Sequence, residues 1–169
     1  SYKLPGRGDN RIRIDDFLEF AANHQIPVPE ELRVDRQRAL VVDDDCHMAA
    51  AIRRVLQKNG FEVRTADDGF RAGTLLGTFH PAIVTLDLQM PWLSGFDVLA
   101  FIRNTAGLEK VRILVVSGLC DERLQQAIQH GADAVLAKPF RNDELLEAVT
   151  SLLESPAGNH LVQTVGGDL

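Results

Sequence analysis

Five polar side chains follow apolar runs of the sequence, and their chemistry suits a phosphoryl group and a metal ion. They are Asp43 and Asp44, Asp87, Ser117 and Lys138. Clustered carboxylates bind a hard cation, and Mg²⁺ is typically held by one or two carboxylates together with water and phosphate oxygens. A lysine ammonium and a serine hydroxyl stabilise phosphoryl oxygens, and an aspartate beside them can form an aspartyl phosphate. The residue types therefore predict an acidic site that accepts a phosphoryl group with Mg²⁺.

The acidic run 43-DDD-45 supports the metal prediction. Neighbouring carboxylates repel one another and raise each other's pKa unless a positive charge is present. For Asp43 and Asp44, a bound cation is expected to offset this repulsion. Asp45 is expected to cap the first helix. The alternative for each acid is a solvated loop carboxylate or a helix cap, and that reading is favoured for Asp67 and Asp68.

Apolar runs that contain many β-branched residues alternate with segments of helical spacing from residue 39 onward. Strands are predicted at residues 39–43, 61–66, 82–87, 112–118 and 134–139. Continuous apolar runs are typical of parallel strands buried on both faces, and the segments between them repeat apolar residues at helical spacing. The pattern predicts a doubly wound five-stranded parallel α/β domain with right-handed crossovers. Its ligand site is expected at the carboxyl ends of the strands, where the five polar residues lie.

The rest of the chain divides into shorter segments. Residues 1–24 are predicted to be an N-terminal helical extension, namely an arm or the end of a DNA-binding domain that is truncated in this chain. Residues 25–38 contain two prolines and many charges and are predicted to be a linker. Residues 39–154 form the α/β domain, and residues 155–169 are expected to be a flexible tail.

Four sequence blocks resemble the receiver domain of bacterial two-component response regulators. In chain order they are 41-VVDDD-45, 86-LDLQMPWLSG-95, 115-VVSG-118 and 131-GADAVLAKPF-140. The resemblance spans residues 39–154 and implies a flavodoxin-like (βα)5 fold with strand order 2-1-3-4-5. It also implies a sensor histidine kinase or a phosphotransfer protein as the phosphoryl donor, with a homodimer as a further assembly.

The same resemblance implies a role for each site residue. Asp87 is the phosphoacceptor, and Mg²⁺ is bound by Asp43, Asp44, Asp87 and the backbone carbonyl of Gln89. The implied protein is a switch with at most slow self-dephosphorylation and not a turnover enzyme.

On the phosphoryl side of the site, the resemblance implies that Ser117 bonds a phosphoryl oxygen and that Lys138 pairs with the phosphoryl group. A cis peptide is implied before Pro139, a geometry that X-Pro bonds adopt far more readily than others. Val135 departs from the family pattern, which has Tyr or Phe at this position as a toggle that moves with the Ser/Thr. The resemblance therefore does not imply how this chain transmits the signal.

Two other functions remain open from the sequence. A receiver or pseudo-receiver could act only as a protein–protein interaction module. A haloacid-dehalogenase-like phosphatase uses similar groups, but it carries a second Asp two residues after the nucleophile, where this chain has Gln89. No GxxxxGK[ST] motif is present, which excludes a P-loop NTPase.

The N-terminal segment carries a second resemblance. Residues 1–13 hold four basic residues and one acid, hence a net charge of +3, and 11-RIRIDDFLEFAANHQIPVP-29 resembles the end of an excisionase-like or MerR-like winged helix-turn-helix. The resemblance implies that Lys3, Arg7 and Arg11 touch DNA phosphates, which gives affinity without sequence reading. Control of transcription is the output that this predicts.

The overall composition narrows the class of protein. The chain has 169 residues and a formal net charge of −6, which describes an acidic protein and argues against nucleic-acid binding by the chain as a whole. No apolar segment approaches the length of a membrane helix and no signal pattern is present, so a cytoplasmic location is expected. The two cysteines are too few for a disulfide framework, and Cys46 is expected to be buried.

Overall fold

A computed structural model describes residues 37–91, 94–154 and 164–165 of the protein. Strands and helices alternate along the described chain. In order they are β1 (Arg38–Val42), α1 (Cys46–Lys58), β2 (Glu62–Ala66), α2 (Gly69–Phe79), β3 (Ile83–Leu86), α3 (Gly95–Asn104), β4 (Arg112–Ser117), α4 (Asp121–Gln129), β5 (Ala134–Ala137), α5 (Asn142–Glu154) and β6 (Thr164–Val165). The segment predicted at residues 1–24, which includes Lys3, Arg7 and Arg11, and residues 25–36 of the predicted linker lie outside the described residues. The prediction that the linker 25–38 extends to residue 38 was wrong, because Arg38 pairs in the sheet as the first residue of β1.

All strands of the sheet are parallel, and their order is β2-β1-β3-β4-β5-β6. The predicted order 2-1-3-4-5 is therefore confirmed. The short strand β6 adds to it, because Thr164 and Val165 pair with Val135 and Leu136 of β5. These two residues fall within the segment predicted as a flexible tail, most of which lies outside the described residues.

The strands β1, β3, β4 and β5 are buried on both faces because each apolar run serves two cores, whereas most of β2 is exposed or only half-buried. In β1, Leu40 and Val42 join the cluster that packs against α2, α3 and α4, whereas Ala39 and Val41 join the cluster under α1 and α5. Successive side chains of a strand point to opposite faces of the sheet. Each of the strands β1 to β5 therefore contributes side chains to both core clusters. The sheet is thus a rigid support whose carboxyl ends present the loops of the site.

Local signals fix where several elements begin and end. Asp45 is the N-cap of α1 and accepts hydrogen bonds from the backbone amides of His47 and Met48, as predicted. Gly60 and Gly131 follow α1 and α4 with positive φ, a conformation that glycine adopts without a steric penalty.

A buried ion-pair network holds together the opposite end of the sheet from the site. The Arg103 guanidinium at the end of α3 donates to Asp133 Oδ2 (2.6 Å) and to the Gly131 (2.6 Å) and Val111 (2.9 Å) carbonyls. Asp133 also accepts from the Ile113 amide (2.7 Å). These bonds tie α3 to the amino ends of β4 and β5, so the helix that begins at the site is anchored at its far end.

Candidate functional site

Asp87 is the centre of the site, and three different groups hold its carboxylate. The Ser117 hydroxyl donates to Oδ1 (2.8 Å), and the Gln89 backbone amide donates to the same oxygen (3.0 Å). The Lys138 ammonium donates to Oδ2 (2.9 Å). Asp87 itself follows β3, Ser117 ends β4 and Lys138 follows β5, so the parallel sheet brings the three side chains to one rim as predicted.

Asp43 and Asp44 complete the acidic part of the site directly after β1. Asp43 is buried and receives the Lys138 ammonium on Oδ2 (2.8 Å) and the Asp45 amide on Oδ1 (2.9 Å), whereas Asp44 is exposed. Lys138 therefore bridges Asp43 and Asp87. This bridge was not predicted from the sequence, which assigned Lys138 to the phosphoryl group alone.

The donor set fits a hard divalent cation. Asp43, Asp44 and Asp87 each offer a carboxylate oxygen, and these oxygens lie within 4.8 Å of one another. Oxygen-only donors in this number suit Mg²⁺, which keeps several waters and takes few protein ligands. Gln89 lies in the same loop as Asp87. The hydrogen bond from its backbone amide to the Asp87 carboxylate holds the Gln89 backbone beside the acids. Coordination by the Gln89 carbonyl stays a prediction.

Burial and hydrogen bonding separate the two buried carboxylates. Burial raises the pKa of Asp43 above its ordinary value, although the Lys138 and Asp45 hydrogen bonds oppose this effect. Burial also raises the pKa of Asp87, but the bonds from Gln89, Lys138 and Ser117 outweigh it, and the net direction is downward. Asp87 is thus held in the ionised form that a nucleophile requires.

The Lys138 ammonium responds to the same surroundings. Burial lowers the pKa of Lys138, but the hydrogen bonds and charges of Asp43 and Asp87 outweigh burial, so the pKa lies above its ordinary value. The lysine stays charged, which leaves a fixed positive group beside the acceptor oxygen. The Lys138–Pro139 peptide is cis, as the resemblance implied.

Gly95 has a positioning function that the sequence did not reveal. A side-chain Cβ at this first residue of α3 would overlap the Asp87 carbonyl oxygen and would lie 2.6 Å from the Leu88 Cα. The helix can therefore begin against the acceptor loop only because residue 95 lacks a side chain. The glycine sits within a quoted motif block, but its contact with Asp87 depends on a packing distance that spacing does not encode.

Two remaining expectations about residues near the site have different outcomes. Val135 is buried in the core that faces α3 and α4, so no aromatic side chain occupies the toggle position. Cys46 is exposed at the start of α1, and the prediction of a buried thiol was wrong because the helix begins on the open rim. Met90, which follows Gln89, packs in the core.

None of the helices in the described ranges is both long enough and apolar enough to cross a membrane.

Comparison with known proteins gives a consistent picture. Residues 39–150 match the family of response regulator receiver domains. The chain is 36% identical over 118 residues to the DNA-binding response regulator MtrA of Mycolicibacterium paratuberculosis, which covers 70% of this chain and 52% of that protein. The chain thus spans about half the length of the curated relatives it matches.

Solved structures agree with the sequence relatives. A response regulator signal receiver domain from Bermanella marisrubri superposes with a TM-score of 0.67 at 51% identity, covering 71% of this chain and all of that chain (100%). The CheX–CheY–BeF3–Mg²⁺ complex of Borrelia burgdorferi gives a TM-score of 0.66 at 25% identity, covering 70% of this chain and 90% of that chain.

Proposed function

The chain belongs to the family of response regulator receiver domains, and we propose that it is a signalling switch that accepts a phosphoryl group on Asp87. The observation that carries the proposal is the set of three donors on one carboxylate. Lys138, Ser117 and the Gln89 amide all converge on Asp87 at the carboxyl ends of the strands, beside the carboxylates of Asp43 and Asp44.

The transfer forms one bond and breaks one bond. A carboxylate oxygen of Asp87 attacks the phosphorus of the donor, and a new O–P bond forms. The P–N bond of a phosphohistidine, or the P–O bond of an acyl phosphate, breaks at the same time, and the leaving group keeps its electron pair. The ionised state of Asp87 and the fixed positions of its neighbours prepare this attack.

The neighbours of Asp87 change partners once the phosphoryl group is in place. The Ser117 hydroxyl and the Lys138 ammonium now bond carboxylate oxygens, and both are free to donate to phosphoryl oxygens on the new aspartyl phosphate. Asp43, Asp44 and Asp87 would hold Mg²⁺, which neutralises charge on the transferring phosphoryl group when it is bound.

A phosphatase of the haloacid-dehalogenase type is not supported. Such an enzyme needs a carboxylic acid two residues after the nucleophile, where Gln89 lies exposed and cannot act as a general acid. We therefore infer a switch that loses its phosphoryl group slowly. A receiver that serves only as an interaction module remains the competing function, and the mass measurement below separates the two.

The intact mass of the protein after incubation with acetyl phosphate tests the proposal. We expect a single phosphoryl addition that requires Mg²⁺ and is absent in Asp87→Asn. Asp68→Asn is a matched control, because the Asp68 carboxylate caps α2 through the Arg71 amide and asparagine caps equally well. This variant should be phosphorylated like the parent. If the folded protein binds Mg²⁺ but gains no phosphoryl group, the interaction-module function takes the place of the switch.

The partners follow from the family and from one relative. We propose a sensor histidine kinase or a phosphotransfer protein as donor, and control of transcription as output. MtrA, whose name describes a DNA-binding response regulator, is about twice as long as the matched segment. Lys3, Arg7 and Arg11 are the residues of this chain that we propose for DNA phosphates, and the phosphorylated protein is proposed to act as a homodimer.

A further inference from the structure

The open edge of the sheet carries a groove that the phosphorylation site does not use. It runs along β2 between α1 and α2, and its volume is about 500 Å³. Val63 and Thr65 of β2 form its floor, and Arg53, Arg64 and Phe70 stand around it. Arg53, Thr65 and Arg71 also line a smaller pocket that reaches Asp43, so the groove continues to the acidic site.

The backbone of β2 presents free hydrogen-bonding groups to this groove. Glu62 donates its amide to Gln37, and Ala66 accepts from the Asp43 amide, so alternate residues of β2 face β1. The amides and carbonyls of Val63 and Thr65 consequently point away from the sheet. Among the described strands β2 is an edge strand with one neighbour, and such an edge is a template for a further strand.

Phe70 gives the groove an apolar contact that folding does not explain. Its exposed fraction is 85%, the larger of the two values among exposed large apolar side chains of the described residues. An exposed phenylalanine contributes nothing to the core. Beside free backbone groups, it resembles the apolar anchor that a bound segment would cover.

The charged residues that line the groove are all arginines. Arg53 forms no ion pair with any described residue, and the Arg64 guanidinium lies 4.6 Å from the centre of the Phe79 ring. Arg71 is neutralised in part by Asp67, at 3.0 Å. Glu62, the acidic residue at the start of β2, does not line the groove. A basic edge on a chain of net charge −6 selects an acidic occupant.

We propose that an extended acidic segment of a partner protein, with apolar residues among its acids, binds as an added strand on the edge of β2. Its backbone pairs with Val63 and Thr65, its carboxylates meet Arg53 and Arg64, and an apolar side chain covers Phe70. Strand addition of this kind takes affinity from the main chain and specificity from alternate side chains. Asp87 does not line the groove, so the binding proposed here does not require its phosphorylation.

A second copy of this chain is a poorer occupant than an acidic segment. Two copies that paired their β2 edges about a two-fold axis would bring Arg64, the central residue of the strand, next to its own counterpart. Like charges opposite one another destabilise a strand pair. An acidic segment meets the same arginines with attraction.

The test uses the full chain labelled with ¹⁵N and a synthetic heptapeptide of alternating glutamate and apolar residues, EVEFEVE. We expect binding at peptide concentrations up to about 1 mM, the weak end of specific recognition. The amide exchange of Val63 and Thr65 should slow roughly fivefold or more at saturation, because both amides become hydrogen-bonded. A loose electrostatic contact would not protect these two amides, and the lysine counterpart KVKFKVK should not bind.

Variants separate the groove from the rest of the surface. Arg53→Glu and Phe70→Ala should each weaken EVEFEVE binding by roughly tenfold, since each removes a central contact. Arg54→Glu is a matched control, because the adjacent arginine has the same charge on the same helix but lines a different groove, between α1 and α5. This control should bind within about twofold of the parent.

Four results would overturn the proposal. The first is an absence of binding, and the second is binding that leaves Val63 and Thr65 unprotected. In the third, Arg54→Glu weakens binding as much as Arg53→Glu. A concentration-dependent dimer that Phe70→Ala abolishes would also overturn it, because the groove would then belong to a second copy.

Discussion

Lys138 is the positive charge that allows two buried carboxylates to lie side by side. Its ammonium bonds Asp43 at 2.8 Å and Asp87 at 2.9 Å, and 2% and 8% of the respective side chains are exposed. A buried charge without a partner costs several kcal/mol. The lysine therefore supports the folded site as well as the proposed chemistry.

Replacing Lys138 by methionine should expose this double function. We expect Lys138→Met to lower the free energy of unfolding by about 3 kcal/mol without Mg²⁺, because both carboxylates lose their partner. Added Mg²⁺ should raise the melting temperature of the variant more than that of the parent, since the cation relieves a larger repulsion. Thermal unfolding with and without Mg²⁺ measures both effects.

Arg141→Met is the control for Lys138→Met. Arg141 is exposed and pairs with Asp143 at the surface, so its loss should leave the response to Mg²⁺ unchanged. An equal Mg²⁺ response in Lys138→Met and in the parent would contradict the assignment of the cation to Asp43, Asp44 and Asp87.

Thr85 is a buried residue whose hydroxyl is not satisfied. It lies in the middle of β3, between Val41 and Leu114 of the neighbouring strands, and its Oγ1 has no hydrogen-bond partner among the described residues. We expect Thr85→Val to raise the free energy of unfolding by about 1 kcal/mol, because it removes an unpaired polar group at nearly constant shape. Urea unfolding monitored by circular dichroism gives the difference.

The matched change elsewhere should have the opposite sign. The Thr150 hydroxyl donates to the Leu146 carbonyl at 2.8 Å, so Thr150→Val removes a bond that is made and should not stabilise the protein. A loss of stability in Thr85→Val would show that its hydroxyl is satisfied in solution.

At the scale of elements, the start of α3 fixes the acceptor loop. The Gly95 amide donates to the Leu88 carbonyl at 3.3 Å, and a Cβ at Gly95 would overlap the loop backbone. We expect Gly95→Ala to lower the free energy of unfolding by about 1–3 kcal/mol, because the helix and the loop must separate. Phosphorylation by acetyl phosphate should slow, since Asp87 moves with the loop.

Gly77→Ala is the matched substitution within another helix. Gly77 lies in the exposed face of α2, and no atom lies within 4 Å of the position of an added Cβ. The change should raise stability by about 0.5–1 kcal/mol, because alanine loses less conformational entropy in a helix. Phosphorylation at the parent rate is expected in this variant. Parent-like phosphorylation of Gly95→Ala would disprove the positioning role of Gly95.

The periodicity of the sequence predicted these elements well, for a physical reason. Runs such as 82-AIVTLD-87 are mostly apolar because both faces of their strand are buried, and the aspartate follows the last residue of the strand. The convergence of Asp43, Asp87, Ser117 and Lys138 then follows from parallel strands alone. Local composition therefore encoded the main part of the site.

Contacts that depend on distance between separate elements could not be predicted in this way. The Lys138–Asp43 bond joins residues that follow β5 and β1, two strands that are not neighbours in the sheet. The pairing of Thr164 and Val165 with β5 was not predicted, because the strand has only two residues and gives no recognisable apolar run. Cys46 is exposed because α1 starts on the rim, which residue type does not show.

On the scale of the whole molecule, the charge of the N-terminal segment differs in sign from the charge of the chain as a whole. The chain carries −6, yet residues 1–13 carry four basic residues against one acid, a local charge of +3. A uniformly acidic protein would be repelled by DNA, so any affinity of this chain for a duplex should arise in its basic segment.

This separation gives a prediction for the salt dependence of DNA binding. The affinity of the full chain for a fluorescein-labelled duplex, measured by anisotropy, should fall as salt rises. The variant Lys3→Ala, Arg7→Ala, Arg11→Ala should bind more weakly, and the slope of log affinity against log salt should be shallower by about 2.7, at roughly 0.9 per phosphate contact. The loss should be similar for duplexes of different sequence, because phosphate contacts carry no base information.

A control of equal charge change tests whether the basic segment acts through position or through net charge. Arg54→Ala, Lys58→Ala, Lys110→Ala removes three charges at positions that lie in the α/β domain. If phosphate contacts are made by Lys3, Arg7 and Arg11, this control should leave the slope close to that of the parent. Equal slopes in the two triple variants would mean that net charge alone governs the affinity. The proposed DNA contacts of residues 1–13 would then be withdrawn, whereas phosphorylation of Asp87 would stand on its own measurement.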